Sequence, residues 1–448
     1  MSHLPNLEPR LQRRYDQLVH EHIAPLQGVA AGLRAVPALT RSFASTQAAW
    51  RFWTNPSITL PDLARPLIDV ARDAVPVECL DFALVVIDWS QLHYHQHTRK
   101  LDRVSLTNTK DPGYELLTAL LISDSTGQPI APLCQDLRAA DGIHSTRFDK
   151  PRRPVTKLDR LGPVMRYVHE QQLGKPAVFI IDREADSVAH YRRWVRQGRL
   201  FLIRADDNRR VLHAGKSRLF PEIVQQLRQD GAFHGSREVL YHGAKARQSV
   251  AEAVVILDRP AKCQQGTIIK PGRAVSLRLV VAQVHNADGE LLAQWLLLTN
   301  LPASVSAEQV ALWYYWRWQI ETYFKLLKGA GLHLEQWQQE TASALARRLT
   351  VAAMACVLVW RVARNESPEG ETLRALLTRL SGRQIKRSVG FTEPALLSGL
   401  YVLLNTLEII EQYDVQELRR LVEAVLQPAP EPLPRRPHKH RSTKPESG

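Results

Sequence analysis

The chain has 448 residues, more than one ordinary hydrophobic core accommodates, so two to four domains are expected. Its 44% hydrophobic and 23% charged residues are those of a soluble globular protein, and its four dispersed cysteines, without a CxxC pair, argue against a cysteine zinc site. The net charge of +14, with Arg more frequent than Lys, suits a polyanionic partner, because the guanidinium fork binds phosphate bidentately. A solvated basic surface is the bland alternative.

Residues 1–76 read as helices broken by proline: one from Asn6 or Glu8 to His22, one from Thr46 to Trp53, and a third in ITLPDLARPLIDVARDA. The opening MSHLPNLEPRLQRRYDQ is polar, so no signal peptide is read, and with so few cysteines a reducing, cytoplasmic setting is expected. Arg34, Arg41, Arg51, Arg65 and Arg72 are placed either to face phosphates or to form a basic solvated surface.

The period then changes. DFALVVID (81–88) is an unbroken apolar run ending in an acid, the pattern of a strand buried on both faces. Residues 104–110 and 113–125 suggest hairpin strands, and 158–174 a helix ending at Gly174. KPAVFIID (175–182) is a second apolar strand ending in an acid, followed by a helix over 187–198 and the strand RLFLIR (199–204). This predicts a mixed α/β sheet with helical crossovers. Residues 206–300 add one helix and several strand-like runs, a β-rich insertion. The apolar helix over 341–362 carries Arg347 and Arg348, which favours a buried helix over a membrane span, and Cys356 reads as core within it. Further helices follow, and from Gln427 a Pro-rich basic tail reads as disordered.

Asp88 and Asp182 each stand where an apolar strand run stops, at the carboxyl ends where α/β sheets gather functional groups. Each is open to two readings, a cap or a metal ligand. A third acid, Glu321, would bring three carboxylates that repel one another unless a cation sits between them, and oxygen-only ligands select Mg²⁺ or Mn²⁺ over zinc. A pair of such ions activates water or a sugar hydroxyl for attack on a phosphodiester. HYHQH (93–97) puts His93, His95 and His97 on one side of a strand, either a metal site or a polar face, with no acid or cysteine partner evident in the sequence. Asp186 is expected to cap or orient the helix that follows it.

WYYWRWQIETYFKLLK (313–328) reads as one helix. On it Tyr314, Arg317, Glu321 and Lys328 fall within an arc of roughly 60°, while Leu312, Trp316, Ile320, Tyr323 and Leu327 make the core side. An exposed face with an Arg317–Glu321 pair is one reading. A phosphate grip beside a metal-ligating Glu321 is the other.

The spacing Tyr-x2-Arg-x3-Glu-x6-Lys, met by Tyr314, Arg317, Glu321 and Lys328, resembles the YREK signature of bacterial insertion-sequence transposases related to the transposon 5 enzyme. IDREADS (181–187), VVIDWS (85–90), RLFLIR (199–204) and WLLLTN (295–300) resemble segments of the same family, and the likeness runs from about residue 40 to 365. The resemblance implies an RNase H-like catalytic core over 77–365 with the β-rich insertion at about 206–300. It implies a helical DNA-end-binding domain at 1–76 and helices at 366–427 for dimerisation, ahead of the basic tail 428–448. It implies Asp88, Asp182 and Glu321 as a catalytic triad holding two Mg²⁺ ions, with Mn²⁺ as a substitute. Tyr314, Arg317, Lys328 and Arg204 would grip phosphates, and Trp295 would stack on a flipped base. The function implied is cut-and-paste transposition of an insertion sequence in the bacterial cytoplasm. The enzyme would act on the nucleoid as a homodimer bound to terminal inverted repeats and target DNA, with no membrane partner. A nuclease or resolvase without strand transfer, and a non-catalytic DNA-binding regulator, are the alternatives. Trp89 stands where family members often carry Thr, which leaves the ligand set intact.

Overall fold

The computed structural model describes residues 3–22, 42–241, 243–263, 266–270, 272–329, 331–385 and 389–425. Arg34, Arg41 and the basic tail lie outside the described residues. Two compact units are present, Met1–Tyr401 and Val402–Gly448. The boundaries expected near residues 76 and 365 fall inside the first of them.

Among the described residues three helices come first: α1 (Pro9–His22), α2 (Ser42–Thr54) and α3 (Leu60–Glu78). Thr59 caps α3 by accepting the Asp62 N–H, and the helix continues through Pro66 and Pro76. All three pack on α9 (Ala342–Arg364), where the Arg347 guanidinium donates to the carbonyls of Ile58 and Trp53 at 2.7 and 2.9 Å. Arg348 donates to Gln339 and stacks 3.9 Å from the Trp337 ring centroid. The two arginines are thus accommodated in a protein interior, as expected for this helix. By length and composition Ala342–Arg364 and Glu393–Glu411 could each cross a membrane, but 83% of the apolar window of the first is buried within the protein. Cys356 lies in that buried stretch.

The strands are β1 (Ala83–His93), β2 (Val104–Ser105), β3 (Pro112–Ser123), β4 (Pro129–Ala139), β5 (Gly142–Ser145), β6 (Phe148–Arg152), β7 (Ala177–Ile181) and β8 (Leu200–Arg204). The insertion adds β9 (Arg210–His213), β10 (Lys216–Leu219), β11 (His234–Tyr241), β12 (Ala244–Leu257), β13 (Ala261–Cys263), β14 (Gly266–Lys270), β15 (Val275–His285) and β16 (Leu291–Thr299). Helices α4 (Lys157–Glu170) and α5 (Val188–Arg196) flank β7, and α6 (Phe220–Gln229) lies in the insertion. One mixed sheet of 14 strands runs β10-β9-β12-β15-β16-β8-β7-β1-β3-β4-β5-β6, with β2 on β3 and β11 on β12. Among the described residues only β1–β7 and β7–β8 are parallel. The paired stretches Ala83–Ile87, Val178–Ile181 and Phe201–Ile203 are apolar on both faces and buried, as the unbroken runs in the sequence require. The central sheet continues into the insertion, β16 pairing antiparallel with β8, Leu298 opposite Ile203, while β13 and β14 form a separate two-stranded sheet.

The expected single helix over 313–328 is instead two, α7 (Ala307–Tyr315) and α8 (Trp318–Leu327). Between them the chain tightens into i→i+3 bonds, Arg317 N–H to Tyr314 O and Ile320 N–H to Arg317 O. Trp316 sits against the β3–β4 turn. A Cβ on Gly127, at φ +71°, would lie 2.3 Å from the Trp316 ring, so only glycine suits that turn. The core side also differs. Trp313 is fully buried, edge-on to Phe82 and donating to the Asp124 carbonyl, whereas Leu312 and Trp316 are half-buried. Tyr323, buried, accepts from Gln135 on β4 and packs on Trp360 of α9. These anchors fix the helix pair over the sheet. The helices α10 (Pro368–Leu380) and α11 (Glu393–Gln412) follow, and α12 (Val415–Val425) lies in the second unit.

Candidate active site

Parallel pairing of β1 and β7 ends at Ile87 opposite Ile181. The next residues are Asp88 and Asp182, so the register alone sets two carboxylates side by side. Asp182 follows its strand, as expected. Asp88 does not end β1, which continues to His93 along β3, with Asp88 opposite Thr118. Each aspartate accepts the N–H of its own successor: Trp89 to Asp88 Oδ1 at 2.8 Å and Arg183 to Asp182 Oδ1 at 2.7 Å. These local bonds orient both carboxylates toward the carboxyl edge of the sheet.

Helix α8 brings Glu321 to the same place, and Arg317 joins the three. Its guanidinium lies 2.7 Å from Asp88 Oδ2, 3.0 Å from Glu321 Oε1 and 3.7 Å from Asp182 Oδ2. The Arg317 side chain is only 8% exposed, against 22%, 34% and 31% for Asp88, Asp182 and Glu321. The polar stripe of the sequence is therefore no solvated helix face, because its arginine is buried among acids from three elements. Tyr314 Oη donates to Asp182 Oδ1 at 3.1 Å, and Arg204 Nη1 stands 4.0 Å from the same oxygen. Lys328 is not part of this cluster. Its ammonium donates to the Gln91 carbonyl, three residues along β1 from Asp88, and pairs with Glu335 at 3.6 Å.

The electrostatics follow from this geometry. Burial pushes the Asp88 carboxyl above its ordinary value, and the charges of Asp182 and Glu321 add to the rise against the pull of Arg317 and the Trp89 N–H. Asp182 goes the other way. Burial raises it, but Arg317, the Arg183 N–H, the Tyr314 hydroxyl and Arg204 together hold it below the usual range. Burial works against the Arg317 charge, yet Tyr314 and the three carboxylates keep its proton bound more tightly than usual. Burial likewise raises the Tyr314 phenol, so it remains a donor.

Beside the carboxylates opens a cavity of about 760 Å³ lined by Arg204, Tyr241, Trp295, Tyr315, Trp316 and Trp318, among others. Trp295 packs, as Tyr241 and Ala293 do, against the buried Val239, Ala246 and Val284, with its ring 6.2 Å from that of Tyr314. The aromatic richness of 313–318 was visible in the sequence. That Tyr314 meets Trp295 of the insertion was not.

A family model, the transposase DDE domain, matches residues 83–358. The chain belongs to the transposase DDE domain family. The match begins at the first residue of β1 and ends in α9, so the transposase domain spans Asp88, Asp182, Glu321 and the insertion between them. No curated protein matches the chain. Transposases of this family act on DNA and generally use divalent metal ions. The donor set fits such an ion: three carboxylates of oxygen donors only, already gathered around one cationic group. Lys157, Glu184 and Arg209 were missed in the sequence. Trp89 packs under Lys157, whose ammonium is 5.4 Å from the ring centroid and 3.1 Å from Glu184. Asp186 orients α5, as expected, by accepting from Tyr191, and it also binds Arg209 and the Asp206 N–H.

Proposed function

We propose that this transposase moves an insertion sequence by cutting it out and pasting it into target DNA, with Asp88, Asp182 and Glu321 as the ligands of two Mg²⁺ ions, for which Mn²⁺ substitutes. The observation that carries the reading is the side-by-side register of Asp88 and Asp182 with Glu321 drawn to the same guanidinium. Bound divalent ions supply charge neutralisation and activate an attacking oxygen. The reaction sequence is hydrolysis of one strand at the element end, attack of the freed 3′-hydroxyl on the opposite strand to give a hairpin, opening of that hairpin by water, and attack of the 3′-hydroxyl on target DNA. Each step exchanges one oxygen for another at phosphorus.

The chain's own groups do the positioning. Arg317, Tyr314 and Arg204 already lie on the acidic centre, where a scissile phosphate would bring its own negative charge, and each is a donor suited to phosphate oxygens. Lys328 would hold a phosphate further along β1. Trp295, set in a cavity wide enough for a base and walled by aromatic rings, would stack on a nucleotide flipped from the hairpin.

The strand order β4-β3-β1-β7-β8, antiparallel then parallel, supports an RNase H-like reading of the core. The spacing of Tyr314, Arg317, Glu321 and Lys328 supports placement among the YREK transposases of insertion sequences. The cleft between α1 and α2, lined by Arg10, Arg13, Arg14 and Arg51, supports DNA-end binding by the region 1–76. We assign 366–427 to contacts between two copies in a complex with both element ends. Glu321→Gln tests the reading: it should abolish Mg²⁺-dependent cleavage at the element end while the protein still binds end DNA. Cleavage at the wild-type rate would overturn the assignment.

A further inference from the structure

We infer that His93, His95 and Asp111 form a second metal site, for a zinc-class transition-metal ion, separate from the three carboxylates of the active site. The sequence left three histidines on one stretch with no acid to complete them. The fold supplies that acid from the β2–β3 hairpin. β1 ends at His93, and Tyr94 turns inward, fully buried, with its hydroxyl donating to the Leu334 carbonyl. The two side chains flanking it, His93 and His95, come out on the other side and stack, ring centroids 5.8 Å apart and 10° from parallel. His97 takes no part, its ring standing edge-on to Tyr94 at 5.0 Å.

Asp111, immediately before β3, is held by backbone bonds within the hairpin, its N–H to Asn108 O and its carbonyl to the Leu106 N–H. Its Oδ1 lies 2.9 Å from His93 Nδ1 and 3.2 Å from His95 Nε2. The three ligand atoms all fall within 4.8 Å of one another, which is met by no other trio of His, Cys, Asp or Glu among the described residues. Tetrahedral zinc with bonds of about 2.0–2.1 Å sets its ligand atoms roughly 3.3 Å apart, so the two spacings from Asp111 need widen only slightly to admit the ion.

Chemistry sorts the two sites. Two imidazoles and one carboxylate favour zinc, nickel, cobalt or copper ions, whereas the oxygen-only set of the active site favours Mg²⁺ or Mn²⁺. Side chains 40% and 54% exposed at His93 and His95 leave an open side for water to complete the shell. An ion there would clamp residues 94–111 to the end of β1. That strand end is coupled to the proposed DNA grip. The His93 N–H donates to Glu335 Oε1 at 2.8 Å, and Glu335 pairs with Lys328.

The test is calorimetric titration of the full-length protein with Zn²⁺ in excess Mg²⁺. One zinc should bind per chain. His95→Gln, at an exposed position, and Asp111→Asn should each weaken binding by at least the roughly 10–100-fold that even an outer partner of a metal ligand is worth. Glu321→Gln should leave the zinc affinity unchanged. No saturable zinc binding to the wild type, or binding that survives His95→Gln and Asp111→Asn but is lost in Glu321→Gln, would overturn the proposal. Circular dichroism of both variants verifies that loss of zinc is not loss of fold. Because the readout is binding, its outcome is distinct from that of the cleavage assay.

Discussion

Arg317→Met removes the one cation shared by three acids while keeping the aliphatic stem. Wild-type Arg317 contacts Asp88 at 2.7 Å and Glu321 at 3.0 Å with a side chain 8% exposed. Breaking a fully buried pair leaves a charge uncompensated at about 3–5 kcal/mol. Here the stranded carboxylates are 22–34% exposed, so water takes up part of the cost, and about 2–3 kcal/mol is expected. In a unit of this size that lowers the melting temperature of the metal-free protein by roughly 2–4 °C. A divalent ion restores the missing charge, so Mg²⁺ or Mn²⁺ should raise the melting temperature of the variant more than that of the wild type, since a ligand of the native state stabilises it by mass action. Differential scanning fluorimetry against metal concentration reads both effects without an activity measurement. Equal melting temperatures without metal, or equal gains with it, would refute the view that Arg317 is the counter-cation of the site.

Three further outcomes are expected. The two aspartates should titrate in a fixed order, Asp88 taking up its proton at higher pH than Asp182, because burial and neighbouring charge raise the first while Arg317, the Arg183 N–H and Tyr314 lower the second. Carboxyl-carbon NMR of the metal-free protein measures this, and the reverse order would contradict it. Glu393, raised by burial to about 7 from 4.5, keeps its proton in the folded state, so its effect on stability worsens as pH rises from 4.5 through 7. Glu393→Gln should therefore stabilise the protein at pH 8 by about 2–3 kcal/mol and flatten the melting profile over that range, and an unchanged profile would count against it. Trp295→Ala should leave first-strand nicking intact and slow the hairpin steps by about 5- to 150-fold, the equivalent of one base–aromatic stack, with Trp295→Phe close to wild type on a denaturing gel. Hairpin formation and opening at the wild-type rate in Trp295→Ala would remove the stacking role.

Much of the site could be seen in the chain because its signals are local. The runs ALVVI and AVFII before Asp88 and Asp182 announce buried strands, and the structure sets them parallel and in register. The acid on α8 could be anticipated from its spacing to Tyr314, Arg317 and Lys328. What could not be read depended on contacts distant in sequence. Arg317 looked like an exposed partner of Glu321 four residues away, but its second acid, Asp88, is 229 residues away. Asp111 meets His93 only when the β2–β3 hairpin closes, so the histidines looked unpartnered. The tightening at Trp316 and Arg317, where the Trp316 ring packs on Gly127, leaves no trace in helical periodicity. Nothing in the sequence of α1, α2 and α3 reports that they pack on α9, whose Arg347 reaches Ile58, 289 residues away.

In the proposed function one carboxylate site both cuts and joins DNA. The most direct measurement supplies pre-cleaved element ends carrying a free 3′-hydroxyl, together with a target plasmid and Mg²⁺, and follows joined products. The account predicts joining by the wild type and none by Asp88→Asn, Asp182→Asn or Glu321→Gln, each of which still binds the ends. Wild-type protein that nicks element ends yet never joins them would contradict the account and leave a nuclease in its place.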